Sequence, residues 1–182
     1  MYADVSNRWS DLTRLALERL AVRQNGMQRH AMPVGIIGPR EATQAQLDAA
    51  RMVGYALAKN GMALLCGGKG GVMAAAAQGG REAGGIVIGL LPEDHATAAN
   101  AFLSVALPTG MGITRNALIA HASLCLVAVG GGLGTLSEMA LGLQLGKRVF
   151  SIASAPQVSG AEQCEDVDQL LVCIAQHLIQ VA

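Results

Sequence analysis

The sequence is poor in the residues that carry many kinds of recognition. It has one Trp, two Tyr and two Phe, so base or ring stacking on aromatics is not a visible selection device. Only 14% of its residues are charged, and 13 Lys and Arg balance 13 Asp and Glu. A neutral chain has no overall field to draw in nucleic acid or an anionic membrane, so neither is expected as a partner and any anion must be held locally. No apolar run reaches the ~18 residues of a membrane span. The four cysteines, Cys66, Cys125, Cys164 and Cys173, form no C-x-x-C pair, and His30, His95, His121 and His177 show no H-E-x-x-H spacing. A metal or redox site is therefore not expected, and reduced, buried thiols are. Arginines and acids interrupt the N-terminal segment, so nothing there reads as a signal peptide and the expected compartment is the cytoplasm.

What the chain has instead is small apolar residues and glycine: 52% hydrophobic residues and 23 Gly in 182. That length suits one domain with a substantial core. Residues 1–31 stand apart from the rest, 32–182. Trp9, Leu12, Ala16 and Leu20 recur at helical spacing among Arg8, Arg14, Arg19 and Arg23, which predicts an amphipathic helix and a polar link to His30. From Pro33 onward, short apolar runs alternate with helical segments. Strands are expected at 34–37, 62–66, 86–91, 102–107, 124–129 and 149–152. Helices are expected after Thr43, whose Gln46 completes a capping box, and at 72–83, 114–122, 136–145 and 167–179. Gly61 reads as a left-handed helix cap, and residues 154–163 as a polar loop. The alternation predicts an α/β, Rossmann-like parallel sheet with helices on both faces.

In such sheets ligands bind beyond the carboxyl ends of strands. Three of these ends carry glycine: Gly38; Gly67, Gly68, Gly70 and Gly71 around Lys69; and the run 130–134, with Gly131, Gly132 and Gly134 before Thr135. Backbone N–H groups at a glycine loop and helix start can cradle a phosphate. Arg115 opens a helix after the Gly110–Gly112 turn and is a candidate anion ligand. Lys69 and Arg40 are weaker ones. Thr109, Gly110, Asn100 and Asn116 are further candidates, though Asn100 also suits a loop-stabilising Asx turn. Met73 and Met111 are candidates to cover a ring. No Walker A loop is present, since Gly70 follows Gly68-Lys69 and Arg148 follows Gly146-Lys147. The first strand also lacks G-x-G-x-x-G. Glu138 has two readings: a carboxylate beside a bound sugar, or the closing member of a Thr135–Glu138 capping box.

Three stretches taken together resemble one superfamily: Cys66-Gly-Gly-Lys-Gly-Gly-Val-Met73, Pro108-Thr-Gly-Met-Gly-Ile-Thr-Arg-Asn116 and Gly130-Gly-Gly-Leu-Gly-Thr-Leu-Ser-Glu138. Over roughly residues 33–153 the chain is similar to LOG-like proteins, often labelled "possible lysine decarboxylase". The branch it most resembles contains molybdenum-cofactor carrier proteins. The resemblance implies a phosphorylated nucleotide or molybdopterin-type ligand and a homodimer or larger homo-oligomer. For the enzymes of the superfamily it implies hydrolysis of the N-glycosidic bond of nucleoside 5′-monophosphates, with Glu138 and Arg115 in the catalytic positions. The chain departs from the enzymes' pattern at Val129 and Gly130, at Ser137 in place of a glutamate, and at Asn116 where they usually carry Lys. These departures tilt the reading toward binding without hydrolysis.

Overall fold

A computed structural model describes residues 9–181. Its elements run α1 (Asp11–Gln24), β1 (Val34–Ile37), α2 (Gln44–Lys59), β2 (Leu64–Cys66), α3 (Val72–Glu82), β3 (Val87–Leu91) and β4 (Val105–Pro108). A 3-10 turn (Gly112–Arg115) then leads into α4 (Asn116–His121), β5 (Cys125–Val129), α5 (Leu133–Gln144), β6 (Arg148–Ile152), β7 (Glu162–Gln163) and α6 (Val167–Gln180). All seven strands pair in parallel, in the order β4-β3-β2-β1-β5-β6-β7. This is the Rossmann-like sheet expected from the sequence. The order reverses between β1 and β5, whose register is Gly35↔Leu126, Ile36↔Val127 and Ile37↔Ala128. Loops leaving those two strands part to opposite sides and open a crevice between them.

Alternation along the strands divides the core in two. On one face Val34, Ile36, Val127, Val129 and Phe150 pack with Val53 and Leu57 of α2, Ala76 of α3, and Leu170 and Ile174 of α6. On the other, Ile37, Leu65, Leu126 and Ala128 pack with Ile119 of α4 and Met139 of α5. Every residue of β1, β2 and β5 is buried, as strands covered on both faces require. Helix α2 starts at the Thr43–Gln46 capping box, and Gly61 beyond its end adopts φ +87°, as the sequence predicts.

Several boundaries and one position of α1 differ from expectation. The buried side of α1 is Thr13, Ala16, Leu17, Leu20 and Gln24, whereas Leu12 is 59% exposed. The cause is docking onto α6: Thr13 Oγ1 donates to the Asp168 carbonyl at 3.3 Å, and Arg23 Nη1 donates to the Ile179 carbonyl at 3.1 Å. The fourth strand begins at Val105, not 102. The Asn100 side chain accepts from Phe102 N and holds that segment as a turn, and pairing starts only where Ser104 N reaches the Val87 carbonyl. Pro108 is tolerated because β4 lies at the sheet edge. The expected loop at 154–163 ends in β7, two residues too short to show a pattern. Helix α5 begins three residues earlier than expected, at Leu133 with Gly132 as its N-cap.

Burial also explains the thiols. Desolvation pushes Cys66 up to about 11 and Cys125 and Cys164 to about 12, so at neutral pH they stay protonated. All four cysteines are free. No helix among the described residues is long and apolar enough to cross a membrane.

Helices α2 and α3 meet through small residues. A Cβ added at Gly54 would lie 2.2 Å from the Ala76 carbonyl oxygen. Gly54→Ala should therefore force the two helices apart and cost about 1–3 kcal/mol, a fall in Tm of roughly 2–4 °C per kcal/mol for a chain of this size. Thermal unfolding followed by circular dichroism checks this, and an unchanged Tm would disprove the close approach.

Candidate functional site

A cleft of about 420 Å³ opens at the reversal of strand order. Gly38, Pro39 and Arg40 enter it from the end of β1, and Gly132, Gly134, Thr135 and Glu138 from the start of α5. Gly112, Ile113 and Arg115 come from the turn before α4 and Asn116 from its first residue, with Met73 and Pro92 completing the lining. The N-terminus of α5 has no side-chain cap. Its first-turn N–H groups, which no intrahelical carbonyl can satisfy, sit beside the cleft with the positive end of the helix dipole.

Arg115 is the main charged group here and is only 6% exposed. Its Nη1 donates to Asn116 Oδ1 at 3.0 Å and lies 3.5 Å from Glu138 Oε1, and its Nη2 donates to the Gly67 carbonyl at 3.2 Å. Its Nε is buried with no partner. Position 67 must be glycine for this arrangement, because a Cβ there would fall 2.4 Å from Nη2. Glu138 is likewise 6% exposed. Burial pushes its carboxyl up to about 7, against the opposing pull of Arg115, and burial also lowers the pKa of Arg115. Desolvation thus outweighs mutual attraction on both partners, as expected of a long, single-contact pair. The guanidinium stays protonated and incompletely satisfied, the state in which an added anion gains most.

The capping-box reading of Thr135–Glu138 is overturned. With Gly132 as N-cap, Thr135 lies within the first turn and Glu138 a turn further on, its carboxylate near Arg115 instead of the helix end. Asn116 and Ser137, two of the departures from the enzymes' pattern, meet each other. Asn116 Nδ2 donates to Ser137 Oγ at 3.0 Å, and Ser137 Oγ donates to the Gly134 carbonyl at 2.7 Å. A hydrogen-bonded chain therefore links Arg115 to the first turn of α5.

Of the residues singled out from sequence, Gly38, Arg115, Asn116, Gly132, Gly134, Thr135 and Glu138 line the cleft, as do Arg40 and Met73. Others stand outside the lining. Gly67 backs Arg115, and Gly68 accepts from Asn100 N through its carbonyl. Lys69 is 2.6 Å from Glu93, whose carboxyl its hydrogen bond holds below the usual range, so its charge is already matched. Gly70 is exposed, and Gly71 faces a different crevice. Asn100 spends its amide on the Lys69 carbonyl and on Phe102 N. Thr109 donates to the Leu91 carbonyl, Gly110 N reaches the Glu93 carbonyl, and Gly131 lies against Thr135 and Pro156. The Gly67–Gly71 loop thus supports the cleft from outside its lining. The sequence reading missed Pro39, Pro92, Gly112 and Ile113. Their signal was adjacency: each sits within three residues of a strand end or of Arg115. Among the described residues no group of three His, Cys, Asp or Glu could hold a metal ion.

Residues 31–178 match the SLOG cluster4 family. An uncharacterised protein of Archaeoglobus fulgidus is 38% identical over 148 residues, covering 81% of this chain and 97% of that one. The molybdenum cofactor binding protein of Rippkaea orientalis has a similar structure, with TM-score 0.76 and 30% identity, covering 83% of this chain and 98% of that one. The molybdenum cofactor carrier protein of Chlamydomonas reinhardtii gives TM-score 0.74 and 31% identity, covering 82% of this chain and 99% of that one.

Glu138 sets a pH dependence. Its folded pKa of about 7 lies above its ordinary 4.5. Between these values the native state keeps a proton that the unfolded state has lost, so stability falls as pH rises through that window and levels off above it. Glu138→Gln has no such proton. The stability of the variant relative to wild type should rise by on the order of 2–3 kcal/mol from pH 4.5 to pH 8. Urea melts across that range test this, and a pH-independent difference would contradict it.

Proposed function

We propose that this chain, which belongs to the SLOG cluster4 family, binds a phosphorylated cofactor of the molybdopterin type and holds it without consuming it. The observation that carries this reading is the incompletely satisfied, buried Arg115 beside the uncapped N-terminus of α5, in a cleft of about 420 Å³ at the strand-order reversal. Both features call for an anion. The structural likeness to a molybdenum cofactor binding protein and a carrier protein supports the pterin-type ligand. The residues fit such a group in a specific way. The first turn of α5 and Arg115 would take its phosphate, and Met73 and Ile113, apolar side chains of the lining, would cover its ring. Those residues would bind, orient and partly desolvate the cofactor, whose redox chemistry is its own.

Gly132 offers a clean test of the anion site. Its φ is −148°, which any residue can adopt, and a Cβ there would meet nothing within 4 Å. Gly132→Val should therefore fold, losing about 1 kcal/mol or less through the poorer N-cap, while its side chain fills the anion's space. Isothermal titration should show at least a tenfold loss of affinity for the phosphorylated cofactor. Undiminished affinity in the folded variant would refute the site. Arg115→Ala should weaken binding as well.

The second reading is hydrolysis of a nucleoside 5′-monophosphate, and the observation in its favour is Glu138, a cleft carboxyl with a near-neutral pKa. One such charge opposing a ribose cation is worth ~10²–10³ in rate. The binding reading expects no adenine release from AMP by the wild-type protein. Release that disappears in Glu138→Gln, followed by chromatography, would establish the enzyme instead.

A further inference from the structure

Arg115 and Glu138 both line the cleft, both are buried, and Nη1 of one lies 3.5 Å from Oε1 of the other. Among the described residues of the lining Glu138 is the only acid, and Arg115 and Arg40 are the cations. The contact to Arg115 is the one hydrogen bond of the Glu138 carboxyl among the described residues. An anion held beside Arg115 and the first turn of α5 therefore meets a carboxyl group in the same small space. Ionised, Glu138 repels that anion and competes with it for the guanidinium. Neutral, it does neither. Burial already brings this carboxyl to about 7, so its proton exchanges at neutral pH.

The charged groups around Glu138 hold their state across neutral pH. The Arg115 guanidinium stays protonated. Cys66, at the end of β2, interacts through charge with both members of the pair, and burial holds its thiol near 11, so it remains neutral. Arg40 beyond β1 and Glu93 beyond β3 act on Arg115. The hydrogen bond from Lys69 keeps the Glu93 carboxyl below its ordinary range, hence ionised. Glu138 is the only ionisable residue of α5. Of the elements packed on that helix, α4 carries His121, exposed at its last residue, while β5 and β6 carry Cys125 and Arg148 at their first residues, away from the cleft.

We propose that the cleft binds its anion together with a proton carried by Glu138, so that the ligand is held while this carboxyl is neutral and released as it ionises. This rests on the phosphate-binding reading of the cleft and adds the control of that site. It also bears on hydrolysis, because a carboxyl that opposes a ribose cation must be ionised, whereas one that shares the cleft with an anion must not. A bound anion raises the Glu138 pKa above its value in the free protein. Between the two values binding takes up a proton, and affinity falls as pH rises through that window and levels off above it.

Sulfate tests this directly, because it is a dianion throughout and brings no proton of its own. Ribose 5-phosphate is the second probe, with a phosphate monoester and no base to be cleaved. Isothermal titration of the full chain, in buffers of different ionisation enthalpy, should show uptake of about half a proton per sulfate near neutral pH. Affinity should fall about tenfold from about pH 6 to about pH 9. Ribose 5-phosphate should behave alike above about pH 7, where its own second proton is gone. Glu138→Gln, which keeps His121 and every other titrating group, should bind sulfate with an affinity that no longer depends on pH and without proton uptake. Proton uptake by the wild type is read without any variant, and its absence refutes the linkage. If both probes bind and Gly132→Val abolishes binding, yet uptake persists in Glu138→Gln, the linkage is refuted while the anion site stands. Failure of both probes to bind, or binding indifferent to Gly132→Val, overturns the anion site and this inference together.

Discussion

A buried arginine governs the arrangement around it. Removing Arg115 from water is costly, and the protein returns only part of that cost through the Gly67 carbonyl, Asn116 and a long contact to Glu138. To supply even these partners, the β2 exit must carry a glycine, α5 must present Glu138 inward, and the turn before α4 must bring Arg115 across the end of the sheet. The shortfall at Nε is the feature on which the proposed anion site rests.

The sheet makes this meeting possible. Its strand order reverses between β1 and β5, so the loops beyond those strands diverge and leave room between them. The uncapped α5 terminus follows β5, and the Pro39–Arg40 ridge follows β1. The loop after β2, although the richest in glycine, stands behind the cleft. Lys69 is paired with Glu93, so the most conspicuous cation of the sequence is not a free charge at the site. The pair matches the two charges locally, which leaves the less conspicuous Arg115 as the buried cation of the cleft.

Two of the positions where the chain departs from the enzymes' pattern acquire meaning together. Asn116 and Ser137 are 21 residues apart in sequence yet hydrogen-bond directly, and Ser137 passes the connection to the Gly134 carbonyl. A neutral pair therefore braces the first turn of α5 and adds no charge to the cleft. This leaves Arg115 and Glu138 as the ionisable pair that sets the local electrostatics.

Local chemistry was readable from the chain alone. Short apolar runs separated by glycine determined the parallel α/β class. Thr43 and Gln46 determined a helix start, Gly61 its stop, and the glycine run at 130–134 with Arg115 marked part of the cleft, because each of these depends on neighbours within a few residues. Other features depend on groups far apart in sequence, and tertiary structure decided them. Leu12 of α1 was misread as part of the buried stripe because α6 covers the side that carries Thr13 and Leu17. The start of β4 was misplaced because an Asn100 turn and Ser104 pairing with Val87 set it. Glu138 was ambiguous between cap and cleft until Gly132 became the N-cap and Arg115 arrived 23 positions away. Propensity and capping act over one helical turn, whereas burial, charge pairing and the shape of a cleft exist only once distant segments are packed together.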